Sequence, residues 1–343
     1  MYIILAQNED IHADAVLYYL KQNGADVKRF DIAYLFDEYG SVEHEEHRQK
    51  ISIEIGASSG RLLFPNGDII SSDDIEGIFC RSFYFPKAKD ESSTAEKLAT
   101  AEIRCALRGF FSLVPESCIW INNPYIEDKV DNKIYQHHCA LQHGLYVPDT
   151  LITNDAAKIK AFYNKHHGHM IIKQLSDISI IDEKLITTAD GYTDYEYKGF
   201  YTSKVNASDL DNLNDYFGQG CAPALFQEEL LKKSELRVTV VGNKIFSYRI
   251  YSQENVKSLT DFRHVDDLKT ESCQLDMDTE AKILKLISSW KINFAAVDLV
   301  ETIDGRIVFL EANVVGNWLW LELNKNGSDI AKAISNLLLN KHL

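Results

Sequence analysis

Near the C-terminus, the two strands of a predicted hairpin carry two carboxylates and an amide at positions that face each other: Asp298, Glu311 and Asn313. Apolar runs flank Asp304-Gly305, a dipeptide typical of two-residue type I′ turns, in which both central positions have positive φ. That turn predicts a pairing in which Asp298 lies directly opposite Glu311, with Asn313 on the same face. Opposed carboxylates in an apolar setting need a shared proton or a cation. Oxygen ligands of this kind suit Mg2+, so the pattern predicts a magnesium site.

The alternative is an edge hairpin whose acidic pair is solvated and binds nothing. Cationic residues elsewhere favour the metal site. Lys173 interrupts the apolar strand predicted at 170–174, where a buried ammonium needs an anion such as a nucleotide phosphate. On an outward face the same lysine would instead extend into solvent. Lys133 follows Asn132 on a predicted helix and, taken alone, is typical of a surface lysine.

Three further segments could contact a nucleotide. Residues 227–230 could present backbone groups and a carboxylate to an adenine edge, although alone they are typical of an acidic strand. Glu235 and Arg237 share one face of the next strand, where an ion pair with a neighbouring strand is the ordinary alternative. Arg263 lies in a polar loop, where an arginine often has no specific role.

The elements that must position these residues alternate between strands and helices, which predicts an α/β (α+β) fold. The first part of the chain predicts strands at 1–6, 27–32 and 77–80, a hairpin at 51–55 and 60–64, and helices at 12–22 and 95–111. The rest predicts helices at 128–143, 155–165, 279–290 and 330–340, extended segments at 147–153, 170–174, 225–231 and 235–251, a lid at 176–204, a polar loop at 252–275 and the hairpin at 295–313. We therefore predict three domains, at 1–120, 121–225 and 226–343.

The net charge and the hydropathy of the chain limit the classes of partner that we expect it to bind. The 343 residues carry 36 basic and 51 acidic side chains, a formal net charge of −15. A surface this acidic repels nucleic acid and anionic lipid, so we expect neither nucleic acid nor a membrane as partner. The first residues lack the basic start and long apolar run of a signal peptide, and no apolar run has membrane-spanning length. We therefore expect a cytoplasmic protein.

In their order along the chain, these residues resemble the ATP-grasp superfamily, and within it the microviridin-type (graspetide) peptide maturases. The family pattern is two lysines, a hinge, an acidic ribose contact, arginines, and then Asp…Glu-x-Asn. The resembling segments run from about residue 77 to the C-terminus: Ile78-Phe-Cys-Arg81, Asn122-Asn-Pro124, Val147-Pro-Asp-Thr-Leu-Ile-Thr-Asn154, Ile172-Lys-Gln174, Phe226-Gln-Glu228, Glu235-Leu-Arg-Val-Thr-Val-Val-Gly242, Asp261-Phe-Arg263, Ala296-Val-Asp298, Phe309-Leu-Glu-Ala-Asn313 and Gly316-Asn-Trp-Leu-Trp-Leu-Glu322. One departure is Val314, where the family usually has a proline that would stiffen the turn.

The resemblance implies an ATP-grasp fold with an N-terminal α/β pre-grasp domain, a central lid subdomain and a C-terminal grasp subdomain. It also implies a role for each candidate residue. Lys133 and Lys173 would bind ATP phosphates, Gln227, Glu228, Glu229 and Leu230 would hold adenine, Glu235 would hold ribose, Asp298, Glu311 and Asn313 would bind Mg2+, and Arg237 and Arg263 would stabilise the transferring phosphoryl group and the acyl phosphate.

The implied reaction activates Asp or Glu side chains of a ribosomally made precursor peptide, which has a leader and an acidic, Thr-rich core. Thr or Ser hydroxyls would then form ω-esters, or Lys amines ω-amides, and the enzyme would be a homodimer. The aromatic-rich stretch from Asp177 to Val205 could contact the peptide or could be an ordinary lid hairpin; its rings are Tyr192, Tyr195, Tyr197, Phe200 and Tyr201.

Two other functions fit the same residues. One is an ATP-grasp ligase that adds amino acids to a protein tail or to a small acid. The other is a non-catalytic nucleotide-binding scaffold. The acceptor distinguishes the enzymes, because a crosslinked peptide loses one water per ring whereas a tailed product becomes heavier.

Overall fold

The computed structural model describes most of the chain. The described residues are 1–32, 52–64, 67–83, 94–175, 180–187, 193–198, 202–211, 213, 222–265, 268–323 and 329–340. The strands are β1 (Tyr2–Leu5), β2 (Val27–Phe30), β3 (Ser52–Ile55), β4 (Gly60–Leu63), β5 (Ile69–Ser71), β6 (Gly77–Cys80), β7 (Ile119–Ile121), β8 (Thr150–Thr153), β9 (Met170–Lys173), β10 (Ile180–Thr187), β11 (Thr193–Lys198), β12 (Ser203–Lys204), β13 (Ala224–Glu228), β14 (Lys232–Val241), β15 (Lys244–Ile250), β16 (Thr270–Cys273), β17 (Phe294–Thr302) and β18 (Ile307–Asn313). The helices are α1 (Ile11–Gln22), α2 (Thr94–Phe111), α3 (Pro124–Val130), α4 (Lys133–Gln142), α5 (Ala156–Lys165), α6 (Met277–Ser289), α7 (Leu319–Leu323) and α8 (Ile330–Leu338).

The N-terminal part is built on a parallel sheet in the order β2-β1-β6-β7. Its strands are short and apolar because helices cover both faces. On one face Ile4 and Phe79 pack with α1 and α8, and on the other Ile3 and Ile78 pack with α2. Asp10 caps the start of α1, because its carboxylate accepts a hydrogen bond from the Ala13 amide, the third of the helix.

A small antiparallel sheet, β3-β4-β5, stands beside α2. The predicted hairpin of its first two strands is confirmed, with Ile55 opposite Gly60. The third strand was not predicted, because Ile69–Ser71 is too short to show a clear alternation of apolar and polar residues.

A second antiparallel sheet, in the order β12-β9-β13-β8, packs with α5. We call it the lid sheet because it lies within the predicted lid subdomain, 121–225, apart from the last residues of β13. A hairpin within the segment 176–204, one of the two alternatives for that segment, is present, since β10 pairs antiparallel with β11. Of the aromatic residues proposed for peptide contact, two lie on β11 and the others, Tyr192, Phe200 and Tyr201, lie outside the described residues.

The C-terminal sheet is antiparallel, in the order β16-β15-β14-β17-β18, and carries most of the candidate residues. Leu236 and Val238 of β14 pack on one face with α4 and α6. Alternation along the strand therefore points Glu235 and Arg237 to the opposite face. The edge strand β16 lies in a segment predicted to be a loop.

The predicted helix at 128–143 is wrong, because two helices occupy that region. α3 ends at Val130, and Asn132 then caps α4 by accepting hydrogen bonds from the amides of Ile134 and Tyr135 at 3.0 and 3.1 Å. An Asn side chain that binds its own downstream amides favours a new helix start over continuation. Lys133 is consequently the first residue of α4 rather than a residue of a helix interior.

The predicted type I′ turn is also wrong. Gly305 has a φ of +84°, but Asp304 is not among the described residues with positive φ. The loop is one residue longer than predicted: Thr302 and Arg306 close it through the Thr302 amide, which donates to the Arg306 carbonyl at 2.9 Å. This is the three-residue hairpin in which a glycine occupies the left-handed position.

Two one-residue shifts cancel along this hairpin. Near the turn, Leu299 pairs with Phe309, one position away from the predicted partner. A bulge at Leu310 then restores the predicted register, and Asp298 lies opposite Glu311. The predicted pairing at the site is confirmed, although the turn that motivated it is different.

The predicted domain boundaries stay a prediction, with one observation bearing on them. β13 pairs with both β8 and β9 of the lid, so the boundary placed at 225/226 falls inside a strand of the lid sheet. None of the helices in the described part of the chain combines the length and apolarity that crossing a membrane requires.

Candidate active site

The acidic group lies across β17 and β18 on the face opposite α6. Asp298 is 9% exposed and faces Glu311 in register. Asn313 follows on the same face and donates its Nδ2 to Asp298 Oδ2 at 3.3 Å. The two carboxylates and the amide are thus brought together as predicted.

In this structure Arg237 neutralises Asp298. Its Nη1 lies 2.8 Å from both carboxylate oxygens, and the two residues are direct cross-strand partners. Burial raises the pKa of Asp298; the Arg237 guanidinium opposes that rise and Glu311 adds to it. An ion pair with a neighbouring strand was the alternative to a nucleotide contact for Arg237. That ion pair is present, and it lies inside the candidate site.

Lys133 reaches the acidic group from α4. Its Nζ lies 3.7 Å from Glu311 Oε2, and its side chain is 12% exposed. Asn132 sets this position, because the cap fixes where α4 begins. The helix start thus places the Lys133 ammonium beside the Glu311 carboxylate.

Gln136 joins α4 to β18 in a way that the sequence did not reveal. Its Nε2 donates to the carbonyls of Val130 and Ala312 at 2.9 and 2.8 Å, and its Oε1 accepts from the Ala312 amide at 2.9 Å. The Nε2 of the next residue, His137, lies 2.8 Å from the Leu310 carbonyl oxygen. These bonds hold the helix against the strand on both sides of Glu311.

We predict that Gln136→Met lowers the free energy of unfolding by at least about 3 kcal/mol. Methionine matches the volume but leaves a buried amide and two carbonyls without partners, and each such group costs about 1–3 kcal/mol. Urea unfolding measures the change. Gln142→Met, at the exposed end of the same helix, is the control and should change stability by less than about 0.5 kcal/mol. Equal stability of the two variants would contradict the prediction.

Lys173 enters the site from the lid sheet. Burial lowers its pKa, and the nearby carboxylates of Glu311, Asp261 and Glu235 oppose that shift. The lysine is thus directed into a partly dry cleft between the two sheets and not into solvent. An ammonium in such a place favours an anionic ligand.

The hinge segment, residues 227–230, starts at the end of β13, the strand that pairs with β9 next to Lys173. Gln227 shares a face with Lys173, because Lys173 pairs with Leu225 two residues earlier. It is 2% exposed and its Nε2 donates to Thr150 Oγ1 at 3.1 Å. Its Oε1 is buried with no partner among the described residues. A ligand that carries a donor, such as the amino group of adenine, would satisfy that oxygen.

The two hinge carboxylates are used within the lid. Glu228 Oε1 accepts from the Asp149 amide at 3.0 Å, and Glu229 pairs with Lys204. Over the described residues, no hydrogen bond uses the backbone of Leu230. Of the hinge groups, Gln227 Oε1 and the Leu230 backbone are therefore open to a ligand, whereas both carboxylates are already engaged.

Glu235 is paired with a lysine that sequence reasoning missed. It is 5% exposed, and Lys232 Nζ lies 3.0 Å from its Oε1 and 2.8 Å from the Thr260 carbonyl. Lys232-Lys233 is an ordinary dibasic pair by sequence, so no signal distinguished the lysine that pairs with Glu235. The predicted ribose contact would have to share Glu235 with Lys232.

Arg263 is held by Asp261 in the loop between β15 and β16. Its Nε and Nη2 donate to the two carboxylate oxygens at 2.9 and 2.6 Å. Burial would raise the pKa of Asp261, but the Arg263 bonds outweigh it and hold that pKa at about 2. Arg263 remains 55% exposed, so its position allows contact with a substrate.

This pair predicts acid sensitivity of the loop. The pKa of Asp261 falls from 3.8 to about 2 on folding, so its contribution to stability is fully present above about pH 4 and is lost as pH falls through about 2. Asp261→Asn should therefore be less stable than wild type near neutral pH, and the gap should narrow as pH falls through that window. Urea unfolding at several pH values measures it. A gap that does not depend on pH would show that Asp261 acts without its charge.

The donor set fits a divalent cation shared with a phosphate ligand. The site offers two carboxylates and one amide, and the described residues contain no group of three or more His, Cys, Asp or Glu able to hold a metal ion by themselves. Mg2+ commonly takes one or two protein carboxylates and completes its shell with phosphate oxygens and water. The cations Lys133, Lys173 and Arg263 lie around the same cleft, where phosphates would complete that shell.

No protein-family model matches the sequence, and a search of curated proteins gives no match. Solved structures do match along the whole chain. A RiPP-associated ATP-grasp ligase of Chryseobacterium gregarium, in complex with ADP and a leader and core peptide, is 26% identical with a TM-score of 0.80, covering 100% of this chain and 97% of that one. The macrocyclase MdnC of Microcystis aeruginosa, bound with the precursor peptide MdnA, is 25% identical with a TM-score of 0.79, covering 99% of each chain.

A RimK domain ATP-grasp protein of Sphaerobacter thermophilus is 14% identical with a TM-score of 0.55, covering 98% of this chain and 99% of that one. The chain thus has the fold of the ATP-grasp ligases. Within that class its structural neighbours include two macrocyclases and a ligase associated with RiPPs, which are ribosomally made peptides that are modified after translation. The resemblance drawn from the sequence is confirmed.

Proposed function

We propose that this chain is an ATP-dependent macrocyclase. It joins Asp or Glu side chains of a ribosomally made precursor peptide to Thr or Ser hydroxyls, or to Lys amines, of the same peptide. The observation that carries the proposal is the acidic group Asp298, Glu311 and Asn313, flanked by cations from α4 and the lid sheet, in a fold that includes a neighbour solved with ADP and peptide.

The first step activates the carboxylate. A carboxylate oxygen of the peptide attacks the γ-phosphorus of ATP, ADP leaves and an acyl phosphate forms. Lys133 and Lys173 neutralise charge on the phosphates, while Arg237 and Arg263 stabilise the phosphoryl group during transfer. Mg2+ at the acidic group would supply further charge neutralisation on the phosphate oxygens.

The second step forms the ring. The hydroxyl or amine attacks the acyl carbon, loses its proton and displaces inorganic phosphate, so the peptide loses one water per ring. The positive side chains around the cleft stabilise the charge of the acyl phosphate until it is attacked. We favour the ester product, since no group among the described site residues stands out as selecting an amine.

The partner is a precursor with a leader and an acidic, Thr-rich core. Its negative core suits the cluster of cations in the cleft, although the whole chain is acidic. The β10–β11 hairpin is our candidate for peptide contact, because aromatic residues at its density suit such interfaces. We also propose a homodimer in the cytoplasm.

The test incubates the purified protein with MgATP and an acidic, Thr-rich precursor peptide encoded beside it. The expected result is ADP release and a peptide lighter by one water per ring. Mild alkali then opens esters but not amides. Glu311→Gln is the inactive control.

The alternatives give different results in the same experiment. A heavier acceptor would indicate a ligase that adds amino acids to a protein tail or a small acid. Nucleotide binding without ADP release, with every candidate peptide, would indicate the non-catalytic scaffold and would overturn the proposal.

A further inference from the structure

The loop that follows β18, residues 314–318, is held by an arginine from the N-terminal sheet. Arg81 stands just after β6 and its side chain is only 7% exposed. Its Nη1 donates to the Val315 carbonyl at 2.6 Å, and its Nη2 donates to Asn317 Oδ1 at 3.1 Å. The Nε donates to Asp10, the cap of α1, at 3.2 Å. One buried side chain thus joins two strand–helix turns of the N-terminal sheet to the 314–318 loop.

Two other residues of the N-terminal part hold the ends of the same loop. Asn122, 1% exposed, donates its Nδ2 to the Val314 carbonyl at 2.8 Å. Trp318 is fully buried and packs edge-on against His12, with 5.0 Å between the ring centroids. The position of the loop is therefore set by the N-terminal sheet and not by β18 alone.

The 314–318 loop in turn holds Arg237. The Nη2 of Arg237 donates to the Asn317 carbonyl at 2.9 Å. Gly316 lies so close that a Cβ there would be 3.2 Å from that Nη2 and 2.5 Å from the Ala296 side chain. The Nε of Arg237 is buried with no partner among the described residues. The orientation of the guanidinium thus depends on Asp298 at one end and the Asn317 carbonyl at the other.

We propose that Arg81 is a positioning residue for Arg237, acting through the 314–318 loop. Arg81 fixes Asn317 by its side-chain oxygen and by the neighbouring Val315 carbonyl, so the Asn317 carbonyl is presented to Arg237 in one place. A shift of about 1 Å in a group that acts on the transferring phosphoryl is enough to lower turnover strongly. The catalytic consequence rests on the proposed function, whereas the structural link from Arg81 to Arg237 does not.

The structural link is tested by NMR with 15N-labelled arginine. The Nε–H signal of Arg237 is assigned by its loss in Arg237→Lys. In Arg81→Met we expect that signal to shift and broaden, and in the milder Asn317→Ala, at an exposed side chain, to shift in the same direction. Thermal unfolding of each variant shows that it is folded.

The matched control is Arg29→Met. Arg29 bonds to the carbonyls of Gln7 and Asp10 and to Asp14, all within the N-terminal domain. Arg29→Met should destabilise that domain about as much as Arg81→Met does, but it should leave the position and width of the Arg237 Nε–H signal unchanged. An unchanged Arg237 signal in Arg81→Met, or the same change in Arg29→Met, would overturn the proposal.

Turnover with MgATP and the precursor peptide gives the second readout, as a double-mutant cycle. Arg81→Met should lower kcat about ten- to a hundredfold, with KM for ATP within about twofold. In the Arg237→Lys background the same change should add less than about twofold, because its target is already gone. Arg29→Met should instead act independently of Arg237→Lys.

If the fold-reductions in kcat caused by Arg81→Met and by Arg237→Lys multiply in the double variant, Arg81 does not act through Arg237. If wild type itself gives no turnover, the proposed function fails, and the NMR experiment still decides the link between Arg81 and Arg237. The two failures are therefore distinguishable.

Discussion

Glu311→Gln should lower kcat for ADP formation about a hundred- to thousandfold and leave the protein folded. The amide keeps the shape of the side chain but removes the charge that a metal ion and Lys133, 3.7 Å away, both require. Folding should not suffer, because Glu311 is one of the groups that raise the pKa of the buried Asp298. Removing that carboxylate relieves a repulsion in the metal-free protein.

Steady-state kinetics and urea unfolding check both halves of this expectation. The matched control is Glu301→Gln on the same strand pair. Glu301 faces the other side of the sheet and pairs with Arg249 and Lys233, so turnover should stay within about twofold of wild type. Full activity in Glu311→Gln, or an equal loss of activity in Glu301→Gln, would contradict the assignment of Glu311 as a Mg2+ ligand.

Asp298→Asn should also abolish turnover, but it should not stabilise the protein. Pattern reasoning treats Asp298 as half of a repulsive pair, so either substitution relieves it. The structure adds Arg237, whose Nη1 binds both oxygens of Asp298 at 2.8 Å. Removing one partner of such a buried pair typically costs about 3–5 kcal/mol. Opposite signs of the stability change in the two variants would therefore report the ion pair directly.

The parts of the site that the sequence predicts well are those set by strand alternation. The facing of Asp298 and Glu311 follows from a period of two, and an apolar strand interrupted by Lys173 indicates a lysine in a special environment. Even so, the register at Asp298 was predicted through the wrong turn, and the bulge at Leu310 cancelled the error. A bulge has no reliable sequence signal, because it depends on the contacts that the strand makes elsewhere.

The parts that the sequence cannot predict are contacts between distant segments. Gln136 and Arg81 are an ordinary helical glutamine and an ordinary arginine in the sequence, yet they bond to residues 176 and 234 positions away. Long-range partners of this kind become visible only when the sheets are assembled. The ion pair of Glu235 with Lys232 is local, three residues apart, but neither residue type nor spacing shows which of two adjacent lysines forms it.

Arg237→Lys should lower kcat about a hundred- to thousandfold with KM for ATP changed much less. Arginine uses two nitrogens here, one on Asp298 and one on the Asn317 carbonyl 2.9 Å away. A lysine ammonium is a single point charge and cannot hold both partners in a fixed fork. The positive charge is kept, so binding of nucleotide in the ground state should largely survive. The loss should appear in the transition state, where the phosphoryl charge is redistributed.

The control for geometry is Arg249→Lys on the neighbouring strand. Arg249 bonds to Ser234 and Glu301 on the face of the same sheet that points away from the site. Both substitutions replace a partly or fully buried arginine that pairs with a carboxylate on β17, so their effects on stability should be comparable. Only Arg237→Lys should reduce kcat by more than about tenfold. If both lower kcat alike, the effect comes from the sheet as a whole; if Arg237→Lys raises KM and spares kcat, Arg237 binds nucleotide and does not act on phosphoryl transfer.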